Sequence, residues 1–480
     1  MKTALFAFLA PALLAGCAVG PDYRSPETKV PASWNAPEQE QPYPVVTGGA
    51  ADLAQWWQQF GDPTLTALVE EALRANLSLS LAQANLREAR AARDIAAGPL
   101  WPSLTASATV QRQAGPFYVG DVAAHNLFQT GLDAAWEIDI FGGVRRSVEA
   151  ATAGVQAAIE NLRDVQVSIA AEVALAYIQL RGSQQQIVTA RDNLQVQQHT
   201  AEITRKLYKV GFDSGLDMAN AESTVATTEA QIPVFETGAR QSIYALSVLL
   251  AKPPGELLER LSPSGDLPAT PGRIPAGVPS DLLRRRPDIR QAEAQLHSAT
   301  AQIGVAVAQL FPQFTLTGGA TWQSTGLHSW LQSSNRSVFA GPAASWPIFQ
   351  GGAIAANIRA QEALRDQAFV NYQQTVLGAL QDVENALVAF SEEQRHYKSL
   401  SEAVSADRKA VELSLRLFQE GQTDFLNVLT AQRTLYTDDS ARTQSRQNIA
   451  ADVVALYKAL GGGWQASKPP CGDSGAEPCP

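Results

Sequence analysis

The chain has 480 residues, 45% of them hydrophobic and 18% charged, and a formal net charge of −10. That length supplies ample core, and an acidic chain without a basic tract argues against nucleic acid as a partner. Besides Cys17 the only cysteines are Cys471 and Cys479, in a Pro/Gly-containing tail, where a small disulfide loop and two free thiols are both open readings.

In chain order, the first element is a targeting segment. Lys2 precedes an apolar run over residues 4–14, and Leu14-Ala15-Gly16-Cys17 follows. A positive start, a short apolar core and small residues before a cleavage point define a secretory signal over 1–16, too short for a stable membrane anchor. The Leu-Ala-Gly-Cys ending resembles a bacterial lipobox, which implies cleavage before Cys17 and acylation of its sulfur. Ala18 follows where an aspartate would favour inner-membrane retention, so the outer membrane is expected.

Asp62-Pro63 opens the first helix, an acid at the cap with proline at the first helical position. The Ala/Leu/Arg/Glu-rich stretch to Ala97 continues it, and Gly98-Pro99 ends it. Alternation follows over 127–140, with Phe128, Leu132, Trp136 and Ile138 on one face and Gln129, Asp133 and Glu137 on the other. Residues 103–113 read as its partner, less cleanly. Period 2 sustained over ten residues is a half-buried strand whose length suits a tilted membrane strand. A proline-free run over 143–209 is then expected to be one helix of 67 residues, roughly 100 Å long at 1.5 Å per residue. A further helix over 216–250 closes the set. Alanines such as Ala150, Ala151, Ala157, Ala158, Ala170 and Ala171 permit close helix approach.

The second half repeats the first. Leu100-Trp101-Pro102 matches Leu310-Phe311-Pro312, a shift of 312 − 102 = 210, and the same shift relates Trp136 to Trp346, Gly211 to Gly421 and Leu250 to Leu460. Gly142-Gly143 and Gly351-Gly352 match with one residue of slippage. The duplicated pattern predicts a helix over 280–309, strands over 312–323 and 337–349, and helices over 352–419 and 426–460. The first repeat is thus 63–250 and the second 280–460, joined by 251–279 and followed by a tail over 461–480. Past Cys17 no uninterrupted apolar run of 18 residues remains, so any crossing of a bilayer must be a closed β-barrel. Four strands cannot close a barrel, so an oligomer is required. The class is α+β, with strands and very long helices in an internal duplication.

Several motifs carry a family resemblance. Cys17-Ala18-Val19-Gly20-Pro21-Asp22-Tyr23, Trp56-Trp57-Gln58-Gln59-Phe60-Gly61-Asp62-Pro63, Leu282-Leu283-Arg284-Arg285-Arg286-Pro287-Asp288-Ile289 and Trp346-Pro347-Ile348-Phe349-Gln350-Gly351-Gly352 are similar to signatures of the lipoprotein branch of TolC-like outer membrane efflux proteins. The resemblance runs from Cys17 to about Trp464. It implies a homotrimer, a twelve-stranded barrel with four strands per chain, and a long α-helical periplasmic tunnel. It also implies an equatorial belt, to which 17–62 and 251–279 belong. The implied partners are a periplasmic adaptor and an inner-membrane pump of the resistance-nodulation-division class, with the protein lipid-anchored in the outer membrane and passively conducting small molecules.

The resemblance places the adaptor-docking tip at the two helical turns, at Gly211 and Gly421. Glycine there has a compatible local role, ending a helix in the left-handed conformation. Family members close the entrance with aspartate rings just beyond the second turn, but Asn427 and Thr430 stand at the expected places here. Candidate gate residues are therefore Asp217 and Asp424 as a charged ring, or Phe425, Leu426 and Asn427 as a neutral constriction. A type I protein-secretion duct of the same fold is the alternative function. A purely structural coiled coil would not need the strands. His125, His199, His297, His328 and His396 are scattered without metal-ligand spacing, and no phosphate loop or nucleophile elbow is present, so neither enzyme activity nor a cofactor is expected.

Overall fold

A computed structural model describes residues 18–35, 45–46, 53–113, 124–272, 274–275 and 277–464. The signal peptide, Cys17, Cys471 and Cys479 lie outside the described residues. In chain order the principal elements are α1 (Pro63–Ala75), α2 (Leu77–Ala97), β1 (Ser103–Gln113), β2 (His125–Ile138), α3 (Gly143–Lys209), α4 (Gly215–Leu249), α5 (Pro279–Arg285), α6 (Pro287–Ala308), β3 (Gln313–Ser324), β4 (Arg336–Ser345), α7 (Ala353–Gln419) and α8 (Phe425–Ala459). The chain divides into two compact units.

One unit comprises the described residues within 18–28, 84–160 and 290–375, and it holds the sheet. The strands form an antiparallel sheet in the order β1-β2-β3-β4. Its central pairing, β2 with β3, joins the two repeats and runs from Phe128 opposite Ser324 to Ile138 opposite Phe314. The register sets Leu132 beside Ala106 and Ala320, and Asp133 beside Thr105 and Gly319. One face is therefore apolar and the other polar, as strand alternation dictates. Leu104, Val110, Leu316 and Val338 on the apolar face are all exposed in the single chain. Trp136 Nε1 donates to Leu100 O at 3.1 Å, and Trp346 Nε1 donates to Leu310 O at 3.0 Å. The duplication thus reaches single hydrogen bonds.

The other unit comprises the described residues within 29–83, 161–289 and 376–464. Its core forms where α1 and the aromatic turn before it meet α3 and the end of α8. Trp56 is fully buried, stacks on Tyr457 at 5.1 Å and meets Phe60 edge-on, and Leu65, Leu68 and Ile178 are buried as well. Asp62 caps α1 by accepting from Thr64 N at 2.8 Å and Leu65 N at 3.0 Å, and its other oxygen accepts from Tyr177 OH at 2.8 Å. One carboxylate thereby starts a helix and pins it to α3.

Four expected elements differ in the structure. The helix expected over 63–97 is two, α1 and α2, broken at Asn76. There ψ is 134°, the side chain caps Ser78 N at 2.8 Å, and its amide donates to Leu249 O at 2.8 Å. The helix expected over 280–309 is likewise α5 and α6, broken at Arg286 (ψ 120°) because Pro287 excludes the helical region for the residue before it. The strand expected to reach Phe349 ends at Ser345, two residues before Pro347, which has no N–H for the ladder. The strand expected to reach Ile140 ends at Ile138, because the Asp139 carboxylate turns to accept from Val144 N at 3.1 Å and Arg145 N at 2.9 Å at the start of α3.

Candidate functional site

The two turns between long helices share one local geometry. Gly211 (φ 80°) and Gly421 (φ 70°) occupy the left-handed region that other residues avoid. Phe212 N–H donates to Leu207 O at 2.9 Å and Gly211 N–H to Tyr208 O at 3.0 Å, closing the end of α3. Gln422 to Leu417 (2.8 Å) and Gly421 to Phe418 (3.0 Å) repeat the pattern at the end of α7. This is the paired 6→1 and 5→2 closure that satisfies orphan carbonyls at a helix C-terminus.

The acids beyond the turns are not equivalent. The shift of 210 relates Asp424 to Ser214 (424 − 214) and Asn427 to Asp217 (427 − 217). Ser214 Oγ accepts from Asp217 N at 3.1 Å, an N-cap bond at the start of α4, and the Asp217 carboxylate accepts from the Ser214 hydroxyl. Asp217 is thus committed to its own turn. Burial, the larger effect, and the Asp217 carboxylate together push the Asp213 carboxyl above its ordinary range, while Ser214 N–H opposes them. Asp424 stands at the N-cap of α8, exposed and without a side-chain cap bond. A single ring built from both acids therefore does not follow from the repeat.

Phe425 lies inside the hairpins. It is 3% exposed, packs with Ala201, Ala221, Val428 and Leu429, and meets the Phe418 ring at 5.5 Å. A side chain spent on that core is not free to form a constriction, which corrects the expectation for Phe425. Leu426 is 61% exposed, and Asn427, also exposed, donates to Thr423 Oγ1 at 2.7 Å. The available neutral candidate is therefore Leu426, with Asn427 behind it.

The first tip differs from the second in polarity. Tyr208, Val210, Phe212 and Leu216 are exposed around Gly211, Phe212 at 84%. The corresponding residues of the second tip are Phe418, Glu420, Gln422 and Leu426. Sequence reasoning singled out the two glycines and passed over this contrast, which the 210-residue alignment displays.

Arg286, from the Arg-Arg-Arg-Pro-Asp motif, is a half-buried tie. It reaches Asp288 through two bonds (3.1 and 2.7 Å), Asp382 at 3.1 Å and Ala459 O at 3.1 Å, joining the start of α6 to α7 and the end of α8. Bidentate pairing of this kind fixes direction as well as charge. Among the described residues no three His, Cys, Asp or Glu side chains gather as a metal site, and no helix is long and apolar enough to cross a membrane.

A duplicated unit of long helices and a strand pair with one apolar face, ending in glycine-closed tips, defines a class of duct-forming membrane proteins. The family model for outer membrane efflux proteins matches residues 68–252 and again 278–462, offset by 278 − 68 = 210. The chain is 33% identical to nodulation protein T of Rhizobium leguminosarum bv. viciae, covering 97% of this chain and 94% of that protein. It is 32% identical to the pyoverdine export outer membrane protein OpmQ of Pseudomonas aeruginosa, over 90% and 92% of the two chains. The solved outer-membrane channel OprN is 37% identical and superposes with a TM-score of 0.86, covering 93% of this chain and 100% of that one. The chain belongs to the outer membrane efflux protein family. It is an outer-membrane exit channel for efflux, a transport protein with the fold in which a β-barrel is continued by a periplasmic helical tunnel.

Proposed function

We propose that three copies of the chain assemble into a conduit that carries small molecules from a periplasmic adaptor and an inner-membrane pump of the resistance-nodulation-division class to the exterior. The observation that carries this reading is the sheet. Its β1 and β4 edges are unpaired within the chain, and its apolar face is uncovered. In lipid an open edge leaves backbone groups unsatisfied at several kcal/mol each, so β4 of one copy pairs with β1 of the next until the barrel closes at twelve strands. The apolar face then meets lipid and the Asp133–Glu137 face meets water. The expected species in detergent is a trimer by native mass spectrometry, and a folded, monodisperse monomer overturns the reading.

Transport is passive and no reaction is catalysed; the pump supplies the energy. The type I protein-secretion duct remains the second reading of this fold, and the lipobox and the Arg284-Arg285-Arg286-Pro287-Asp288 motif favour the pump branch. Residues 17–62 and 251–279 serve as the equatorial belt around the repeats 63–250 and 280–460. Cys17 carries the lipid, because Leu14-Ala15-Gly16-Cys17 has the form of a lipobox. The mature protein is accordingly expected to show, by intact-mass measurement, acyl chains on a polypeptide starting at Cys17, and a lipid-free mass sinks this assignment. Barrel insertion holds the protein in the membrane without it, since one chain alone binds only marginally.

The tips form both docking site and gate. The exposed apolar group around Gly211 supports docking of an adaptor, and Gly421 sets the geometry of the second turn. At the gate, Asp424 is the acid free to face a lumen, with Leu426 as the apolar constriction beside it. A threefold ring of Asp424 in a confined entrance attracts cations. Asp424→Ala is therefore expected to lower cation selectivity in planar-bilayer recordings, whereas Asp217→Ala weakens the cap of α4 and leaves selectivity in place. Equal selectivity of wild type and Asp424→Ala, with the trimer intact, leaves Leu426 as the gate.

A further inference from the structure

The polar face of the sheet carries one aromatic ring. The register sets Thr105, Asp133, Gly319 and Phe339 side by side in a single row across β1, β2, β3 and β4. Strand alternation puts all four on the face that carries Glu137, and Arg112 and Arg336 on the other. Apart from Phe339, the strand residues on the polar face include no Phe, Tyr or Trp, and they include no Lys or Arg. Their side chains are mostly hydroxyls and amides, such as Thr321 and Gln129.

Three departures from the duplication meet in that row. The shift of 210 relates Phe339 to Gln129, Gly319 to Thr109 and Asp133 to Ala343. Each repeat thus supplies what the other lacks, the first a carboxylate and the second a ring and a bare glycine between them.

Gly319 brings the pair together. Neighbouring strands lie about 4.8 Å apart, so β2 and β4 are separated by about 10 Å across β3. A Cβ at Gly319 would lie 2.7 Å from the Phe339 ring and 2.9 Å from Asp133 Oδ1. Ring and carboxylate therefore lean over the glycine from opposite sides and come within reach of one small ligand. Phe339 is 50% exposed and Asp133 is exposed too, so both remain open to what passes.

A phenyl ring on a wet wall has no core to stabilise, and its face is the negative part of its quadrupole. Beside a carboxylate, on a face without Lys or Arg, it complements a positive charge that sheds water readily. A quaternary ammonium head meets that description, whereas a small inorganic ion keeps its hydration shell and gains little from the ring.

Resting on the reading of this face as the wall of a water-filled conduit, we propose that Phe339 and Asp133 form a binding site for organic cations, which lodge over Gly319 as they leave. Three copies of the chain repeat the site three times around the wall.

The test is block of potassium current through the full-length protein in planar bilayers by tetraethylammonium added on the barrel side. Block is expected in the parent, at least about fivefold weaker in Phe339→Leu, and close to the parent in Phe339→Tyr, which keeps the ring face. Gly319→Thr, which restores the residue of the first repeat, and Asp133→Asn are expected to weaken block as well. Phe339 and Asp133 belong to no core, so native mass spectrometry should find the trimer unchanged in their variants. A parent that tetraethylammonium leaves unblocked overturns the proposal, and so does block of Phe339→Leu or Gly319→Thr at the parent's concentration. A parent that carries no potassium current removes the conduit reading instead.

Discussion

Phe212→Asp is expected to abolish productive export while leaving the trimer intact. The ring is 84% exposed at the first tip, so the chain loses no core when it is replaced. What it loses is the centre of an apolar group formed with Tyr208, Val210 and Leu216, on which a docked partner would bury its own apolar surface. Aromatic anchors at such centres carry about 2 kcal/mol or more of binding energy, and a buried unpaired carboxylate adds to the loss. Adaptor co-purified with the variant should fall by at least roughly thirtyfold, the equivalent of 2 kcal/mol. Glu420→Ala at the second tip removes no apolar contact and is expected to leave co-purification near the wild-type level. Undiminished capture by Phe212→Asp would show that the first tip is not the docking surface.

Trp56→Ala is expected to cause the largest loss of stability of any single substitution outside the barrel. Trp56 is fully buried, stacks on Tyr457 and meets Trp57 and Phe60 edge-on at 5.8 and 6.1 Å. Removing such a ring costs about 3–5 kcal/mol, because the stacked partner cannot collapse into the space. Thermal unfolding of the detergent-solubilised protein measures the loss, and Trp56→Phe should recover most of it. A midpoint unchanged by Trp56→Ala would mean that the core before α1 is not coupled to the unfolding unit.

Most of the fold was legible because each element obeys one strong local rule. The alternation of Phe128, Leu132 and Trp136 against Gln129, Asp133 and Glu137 defines a strand whatever surrounds it, and 67 residues without proline define α3. The departures arise where a distant partner or a chemical exception intervenes. Asn76 breaks a helix by binding Leu249 O, a residue 173 positions away, and no local pattern announces that. Pro287 and Pro347 do announce their effects, and the breaks at Arg286 and after Ser345 follow from them.

The candidate site was legible to a lesser degree. The glycines declare themselves through the conformation they alone adopt readily. Phe425, in contrast, looked like a residue at an entrance and is a residue of the core, because its fate depends on Phe418 and Ala221 rather than on its neighbours in sequence. The inequivalence of Asp217 and Asp424 was present in the 210-residue shift and became visible once Ser214 was seen bonded to Asp217.

The central strand pairing carries a consequence for how the chain must be connected. Within the chain the second strand of the first repeat, β2, lies against the first strand of the second repeat, β3. Between copies, β4 against β1 would be the same kind of junction, second strand to first. A ring closed in this way meets six near-equivalent joints, of which the peptide chain spans only alternate ones. Covalent continuity between the repeats is then a convenience of stoichiometry rather than a requirement of the barrel. A gene divided between the halves, each half given its own export leader, would still encode every joint the ring needs.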